Sequence, residues 1–107
     1  MNFEINDDQW KIKIISNAEI NERTSTKENE FTHGFTDYKE LTIYLNEDAP
    51  NFRKTLYHEL THVYMYVTGH VQWDKEFNNE DVCEISACSH NFVHEVTENY
   101  LKSLTNK

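Results

Sequence analysis

The chain has 107 residues, a formal net charge of −9 and 37% hydrophobic residues, and we expect residues 1–107 to form one compact domain. The negative charge argues against a nucleic-acid backbone or an anionic membrane surface as a partner. No apolar run approaches the roughly 18 residues of a membrane span. The first residues also lack the basic and apolar regions of a secretory signal.

Cysteine usage gives an expectation about the compartment. Cys83 and Cys88 are five residues apart on a predicted helix, where their side chains point in different directions. A mutual disulfide is therefore not expected, and the spacing is not that of a Cys-x-x-Cys zinc site. We expect reduced, packed thiols in a cytoplasmic protein.

Two β-strands are indicated in the first half of the chain. Trp10, Ile12 and Ile14 alternate with lysines, which is the period of a half-buried strand. Residues 21–30 are polar, and we expect a loop there that could hold a short strand. The segment Leu41–Asn46 alternates again and predicts a second strand.

A helix is predicted to begin at the segment Asp48–Asn51, which contains a capping residue and then a proline in the first turn. Gly69 supplies a C-terminal stop. An apolar stripe at helical spacing lies between these signals and consists of Phe52, Leu56, Leu60, Val63 and Val67. The helix should bury this stripe in the core and leave another face free to line a cleft.

Residues 58–62 read His-Glu-Leu-Thr-His, an HExxH string, and they lie in this helix. Residues four apart share a helix face, so His58 and His62 present two imidazoles to one point, as zinc requires. At about 100° per residue both histidines lie away from the apolar stripe. Glu59 can take a proton from a metal-bound water, the general-base role in metal-assisted hydrolysis. The alternative is a surface helix that carries two histidines by accident.

A catalytic zinc ion usually has three protein ligands, so one more is needed. A second helix is predicted after a cap at Asn78 or Asn79. Glu80 and Glu84 lie four residues apart in its first turns. One can bind the metal while the other accepts a hydrogen bond from a ligand imidazole. The alternative is a solvated pair of acids that suits the helix dipole. The apolar side of this helix consists of Val82, Ile85, Phe92, Val96 and Tyr100.

The combination resembles the gluzincin metallopeptidases, in which HExxH on one helix is joined by a glutamate from a following helix. In the thermolysin-like branch that glutamate stands in an Asn-Glu-x-x-x-Asp pattern. Asn79, Glu80 and Glu84 match this pattern, with Glu84 in place of the aspartate. The resemblance implies that Glu80 binds zinc together with the two histidines of the HExxH string. It also implies that Glu84 braces the first histidine.

The stretch His33–Tyr38, followed by Leu41–Asn46, resembles the hairpin that precedes the active-site helix in small single-domain gluzincins. These occur in bacterial and phage genomes, some of them near the ImmA/IrrE-like metallopeptidases. The resemblance covers roughly residues 31–90. It implies that an extended peptide lies along an edge strand above the zinc. The expected fold is α+β and zincin-like: a small mixed sheet, an active-site helix and a following glutamate helix.

The function expected from these residues is that of a zinc-dependent metalloendopeptidase. It would hydrolyse a peptide or protein substrate through a zinc-bound water activated by Glu59. The alternative is a non-catalytic acidic protein-binding module, zinc-stabilised or metal-free, for example a phage-encoded partner protein. Glu59 favours the enzyme because a structural zinc site has no need of a base there.

Other candidate residues remain open at this point. His90 and His94 are also four apart, but they lack an intervening glutamate and an obvious third ligand, so a polar helix side is expected. One of these two histidines could instead stabilise charge on a reacting carbonyl. His33 is expected to be a turn residue. Three tyrosines are further possible donors to a reacting carbonyl: Tyr57, Tyr64 and Tyr66.

Overall fold

A computed structural model describes residues 2–5, 7–25, 30–67 and 79–105, and within 79–88 it describes the backbone alone. This part of the chain is a small mixed α+β domain, as predicted. Its elements are, in chain order, β1 (Asn2–Ile5), β2 (Asp8–Ile15), α1 (Asn17–Thr24), β3 (Gly34–Asp37), β4 (Thr42–Asn46), α2 (Phe52–Val67) and α3 (Asn79–Thr105). No helix within these ranges combines the length and the apolar composition that a membrane crossing needs.

The four strands form one mixed sheet in the order β1-β2-β4-β3. Strand β2 is parallel to β4, and the outer pairs β1–β2 and β3–β4 are antiparallel. The predicted hairpin is confirmed, since Gly34 pairs with Leu45 and Asp37 pairs with Thr42. The Asp37 side chain stabilises the turn of the hairpin by accepting hydrogen bonds from the backbone N–H groups of Lys39 and Glu40. Strand β3 is therefore an edge of the described sheet.

The main core lies between one face of the sheet and the helices α2 and α3. Its members are buried and apolar, and they include Trp10, Ile12, Ile43, Leu45, Leu56, Leu60, Val63, Val93, Val96 and Tyr100. The apolar stripe predicted for α2 is confirmed at its centre, where three of its five residues have no exposed surface. Phe52 and Val67, at its two ends, are half-buried.

Strand β4 is covered on both faces, which its alternating sequence does not indicate. All five of its residues are buried. Helix α1 covers the face that points away from α2: Asn46 donates a hydrogen bond to Asn17, and the Arg23 guanidinium lies 4.6 Å from the centre of the Tyr44 ring. Pairing with β2 and β3 makes β4 a central strand, and helix α1 accounts for the burial of its second face.

The expectation of a loop over residues 21–30 is wrong for its first part. Helix α1 occupies Asn17–Thr24. Ser16 caps its start by accepting a hydrogen bond from the Glu19 backbone at 3.2 Å. Ile20 anchors the helix and is fully buried. The Ser-x-x-Glu spacing of a capping box was present in the sequence as a signal. Residues 26–29 lie outside the described residues.

The structure adds one strand and changes two details of the predicted elements. The sequence analysis did not predict strand β1, although Phe3 packs in the core. Ile14 is 38% exposed rather than buried, because the described pairing with β1 ends at Lys11 and no other described strand pairs with that side of β2 at Ile14. Helix α2 begins at Phe52, so Pro50 precedes the helix and does not lie in its first turn. Asn51 is the cap, and its side chain accepts a hydrogen bond from the Lys54 backbone at 3.0 Å.

Two expected helix boundaries cannot be compared, since Gly69 and Asn78 lie outside the described residues. The structure describes helix α3 from Asn79 onwards. The side chains of Cys83 and Cys88, and of Val82 and Ile85 on the expected apolar side, also lie outside the description.

Helix α2 packs closely against the edge strand β3 at Gly34. A Cβ atom at this position would lie 2.8 Å from the Tyr44 carbonyl oxygen and 2.9 Å from Cγ2 of Thr55 on α2. Both distances are too short for a carbon atom, and the first involves backbone that cannot move aside alone. The sequence therefore needs glycine here to bring the helix against the strand.

We expect Gly34→Ala to lower the free energy of unfolding by about 1–3 kcal/mol, as overpacking in a close-packed interior does. Urea denaturation followed by circular dichroism would measure the change. Thr55→Ser removes the nearby methyl group and keeps the hydroxyl that bonds to the Asn51 carbonyl. Adding it to Gly34→Ala should restore part of the loss. A Gly34→Ala variant as stable as the wild type would contradict this packing.

Candidate metal centre and adjoining clefts

The HExxH string lies in the middle of α2, and its polar side chains converge. The Nε2 atoms of His58 and His62 are 3.1 Å apart. Ligand atoms of these two histidines and of Glu59 all lie within 4.8 Å of one another, so the group could hold a metal ion. Among the described residues this is the single group of three or more potential metal ligands that converges in this way.

The distance between the imidazoles fits a shared metal ion. Two nitrogens bound to a tetrahedral zinc ion at about 2.0–2.1 Å would be about 3.3 Å apart. The observed 3.1 Å is close to that value, and it also suits a hydrogen bond between two neutral rings. Burial, and then the nearby His58, lowers the pKa of His62 and so favours the neutral form that binds metals.

Unlike the two histidines, Glu59 is buried, with only 6% of its surface exposed. Its Oε1 accepts a hydrogen bond from the Thr36 hydroxyl at 3.2 Å. Burial raises the pKa of Glu59 from 4.5 to about 7, and the hydrogen bond from Thr36 opposes part of this rise. Its Oε2 has no hydrogen-bond partner among the described residues, and Glu59 also lines a cavity. One carboxylate oxygen is thus fixed to β3, and the residue also lines the cavity.

The residues around Glu59 come from the hairpin and were not identified from the sequence. Thr36 lies on β3, and Tyr38 follows that strand. Burial raises the pKa of Tyr38 above its usual value, and the nearby charge of the Glu59 carboxylate raises it further. The approach of a strand residue to a helix residue more than twenty positions later leaves no spacing signal in the sequence.

Two cavities adjoin the histidines, and His58 lines both. The larger, of about 530 Å³, lies between the start of β3 and the first turns of α2. Its lining comes from His33, Gly34, Pro50, Asn51, Lys54, Thr55, His58 and Glu59. The smaller, of about 270 Å³, is lined by Tyr57, His58, Thr61, His62 and Met65. The pair of imidazoles therefore stands at the junction of two clefts.

Of the three tyrosines left open by the sequence, Tyr57 lies beside both histidines in the smaller cavity. Its hydroxyl oxygen is 2.6 Å from Nδ1 of His94 on α3. His90 is exposed and stacks on His94, with ring centres 5.9 Å apart, so these two form a polar helix side as expected. Tyr66 instead packs against Tyr38.

Helix α3 runs antiparallel to α2, because Arg53 pairs with Glu98 while Tyr57 meets His94. Glu80 and Glu84 lie in the first turns of α3, but their side chains are outside the described residues. At about 1.5 Å per residue, the Glu84 backbone is about 6 Å nearer to the level of His62 than the Glu80 backbone is. The described side chains supply the two imidazoles and the carboxylate of Glu59, and the side chain of Glu80, the expected third ligand, lies outside the description.

A scan against protein-family models found no match to this chain, and neither did searches of curated proteins and of solved structures. The functional argument therefore rests on the residues themselves and on their geometry.

We expect the purified protein to bind one divalent metal ion per chain, measured by elemental analysis after equilibrium dialysis. His58→Ala and His62→Ala should each weaken binding by more than the roughly 10–100-fold that is typical of residues behind the ligands. His90→Ala and His94→Ala form the matched control, because they remove a second pair of histidines four residues apart that lies outside the convergent group. Full metal retention by His62→Ala would contradict the site.

Proposed function

We propose that this protein is a zinc-dependent metalloendopeptidase of zincin-like fold that hydrolyses a peptide or protein substrate. The observation that carries the proposal is the convergence of two imidazoles beside a buried carboxylate at an open cleft. A structural metal site has no need of this carboxylate, whereas hydrolysis needs a base beside the attacking water.

In this proposal His58 and His62 hold the metal. Zinc bound there would polarise the scissile carbonyl and make a water molecule more acidic. Glu59 takes the proton of the attacking water and then gives it to the leaving amine. The Thr36 hydroxyl fixes one oxygen of Glu59, which restricts the orientation of the carboxylate before the substrate binds.

The position of β3 supports a peptide as the substrate. It is the edge strand of the described sheet and lies against α2 beside the histidines. An unpaired strand edge offers backbone donors and acceptors to an extended chain. The resemblance to small gluzincins implies the same placement of the substrate, along the edge strand above the metal.

For the third ligand we propose Glu80, with Glu84 as the partner of a ligand imidazole. This follows from the Asn-Glu pattern of the gluzincin resemblance. The antiparallel arrangement of α2 and α3 makes Glu84 the competing candidate, because its backbone lies one helical turn nearer to the level of His62. Both belong to the first turns of α3, so single substitutions can separate them.

Glu59→Gln should retain the bound metal and the fold and lose turnover by about 10²–10⁴-fold, the usual contribution of a positioned general base. The assay is cleavage of a mixed peptide library by the zinc-loaded protein, read by mass spectrometry, with a chelator as a second control. Glu22→Gln is the matched control variant, since Glu22 is exposed on α1. Cleavage that survives Glu59→Gln would remove Glu59 from the mechanism. Metal binding without cleavage of any peptide would leave the non-catalytic binding module as the function.

Glu80→Ala should weaken zinc binding more than Glu84→Ala, because loss of a ligand costs more than loss of the group that orients one. The loss from Glu84→Ala should stay within about 10–100-fold. Competition with a chromogenic chelator would give both affinities. The reverse order of affinities would assign Glu84 as the ligand.

A further inference from the structure

The lining of the larger cleft includes a basic side chain as well as Glu59. Lys54 and His33 line this cleft, and both are exposed to solvent. Asn51 adds a polar residue to the same lining. In a chain with a net charge of −9, an exposed lysine in the cleft is a local reversal of the overall charge.

Lys54 stands in line with the candidate metal ligands. Lys54, His58 and His62 are spaced four residues apart on α2, so their side chains follow one face of the helix. Each step of four residues advances about 6 Å along the axis. An extended peptide advances about 3.3 Å per residue. The point that His58 and His62 share lies about 9 Å along the axis from Lys54, so Lys54 lies about three substrate residues from the scissile bond.

The ammonium group of Lys54 has no ion-pair partner among the described residues. The ion pairs in this part of the chain are made by Arg23 and Arg53. Lys54 is thus available to a bound molecule, and the cleft volume of about 530 Å³ lies within the usual range of roughly 300–1,000 Å³ for a ligand site.

We propose that this cleft is a substrate subsite that binds a carboxylate group, with Lys54 as its main partner and His33 as a second donor. The proposal deepens the peptidase function above and rests on it for the direction of the substrate. The carboxylate comes either from an acidic side chain near the scissile bond or from a free C-terminus. Because Lys54 is exposed, the preference it gives is modest, about two- to fivefold, and decreases as salt screens the charge.

The test uses short alanine-rich peptides that are acetylated and amidated and carry one central Glu or Gln. Binding is measured by NMR titration of the zinc-loaded Glu59→Gln protein, in which a bound peptide stays intact. A third peptide carries Gln and a free C-terminal carboxylate, which separates the two sources of the charge. The same titrations are repeated with Lys54→Met, with Lys54→Arg and with Lys13→Met. Lys13 is the matched control because it is an exposed lysine on β2.

A carboxylate peptide should bind about two- to fivefold more tightly than its neutral counterpart, and high ionic strength should reduce the difference. Lys54→Met should remove this preference, while Lys54→Arg and Lys13→Met should keep it. Equal binding of charged and neutral peptides, or a preference that survives Lys54→Met, would overturn the subsite. Binding does not require turnover, so a failure of the peptidase function would be seen separately, as absence of cleavage by the wild type.

Discussion

The close approach of α2 to the edge strand β3 is the constraint on which the candidate site depends. It requires Gly34, because a side chain there would meet the Tyr44 backbone and the Thr55 methyl group. The same approach allows the Thr36 hydroxyl to reach Glu59. A helix displaced outward by a single carbon atom would lengthen that hydrogen bond and open the Glu59 carboxylate to water. Packing and chemistry are thus coupled through one glycine on the strand.

The rest of the fold holds β3 and α2 in this relation. Strand β4 lies between the sheet interior and β3, and it is buried on both faces by α1 on one side and by the core with α2 on the other. Antiparallel pairing with this buried strand fixes the position of β3. On the far side of α2, α3 adds an ion pair at Arg53 and a hydrogen bond at Tyr57. Helix α2 is therefore fixed on both sides, and its exposed face carries the histidines.

The sequence predicts those features that depend on local spacing. The apolar stripe of α2 and the shared face of its HExxH histidines both follow from helical periodicity, which also predicts α3 as a second helix. Helix α1 was missed because a mostly polar segment hid a single buried residue, Ile20, behind a capping signal. Thr36 could not be found, since its contact with Glu59 depends on how a strand and a helix pack in three dimensions. Lys54 could have been found, because it precedes His58 by the same four-residue spacing that identified the two histidines.

The burial of Glu59 supports a functional origin for the site on energetic grounds. A carboxyl group removed from water costs free energy unless several hydrogen bonds compensate it, and the described residues give Glu59 one, from Thr36. The consequence is a pKa near 7, which means that the fold disfavours the charged form. An apolar residue in this buried place would stabilise the helix without such a cost. Proteins tolerate destabilising groups of this kind chiefly where an activity depends on them. The carboxyl lies beside the two imidazoles and lines a cleft, so its energetic cost and its chemical position favour the same interpretation.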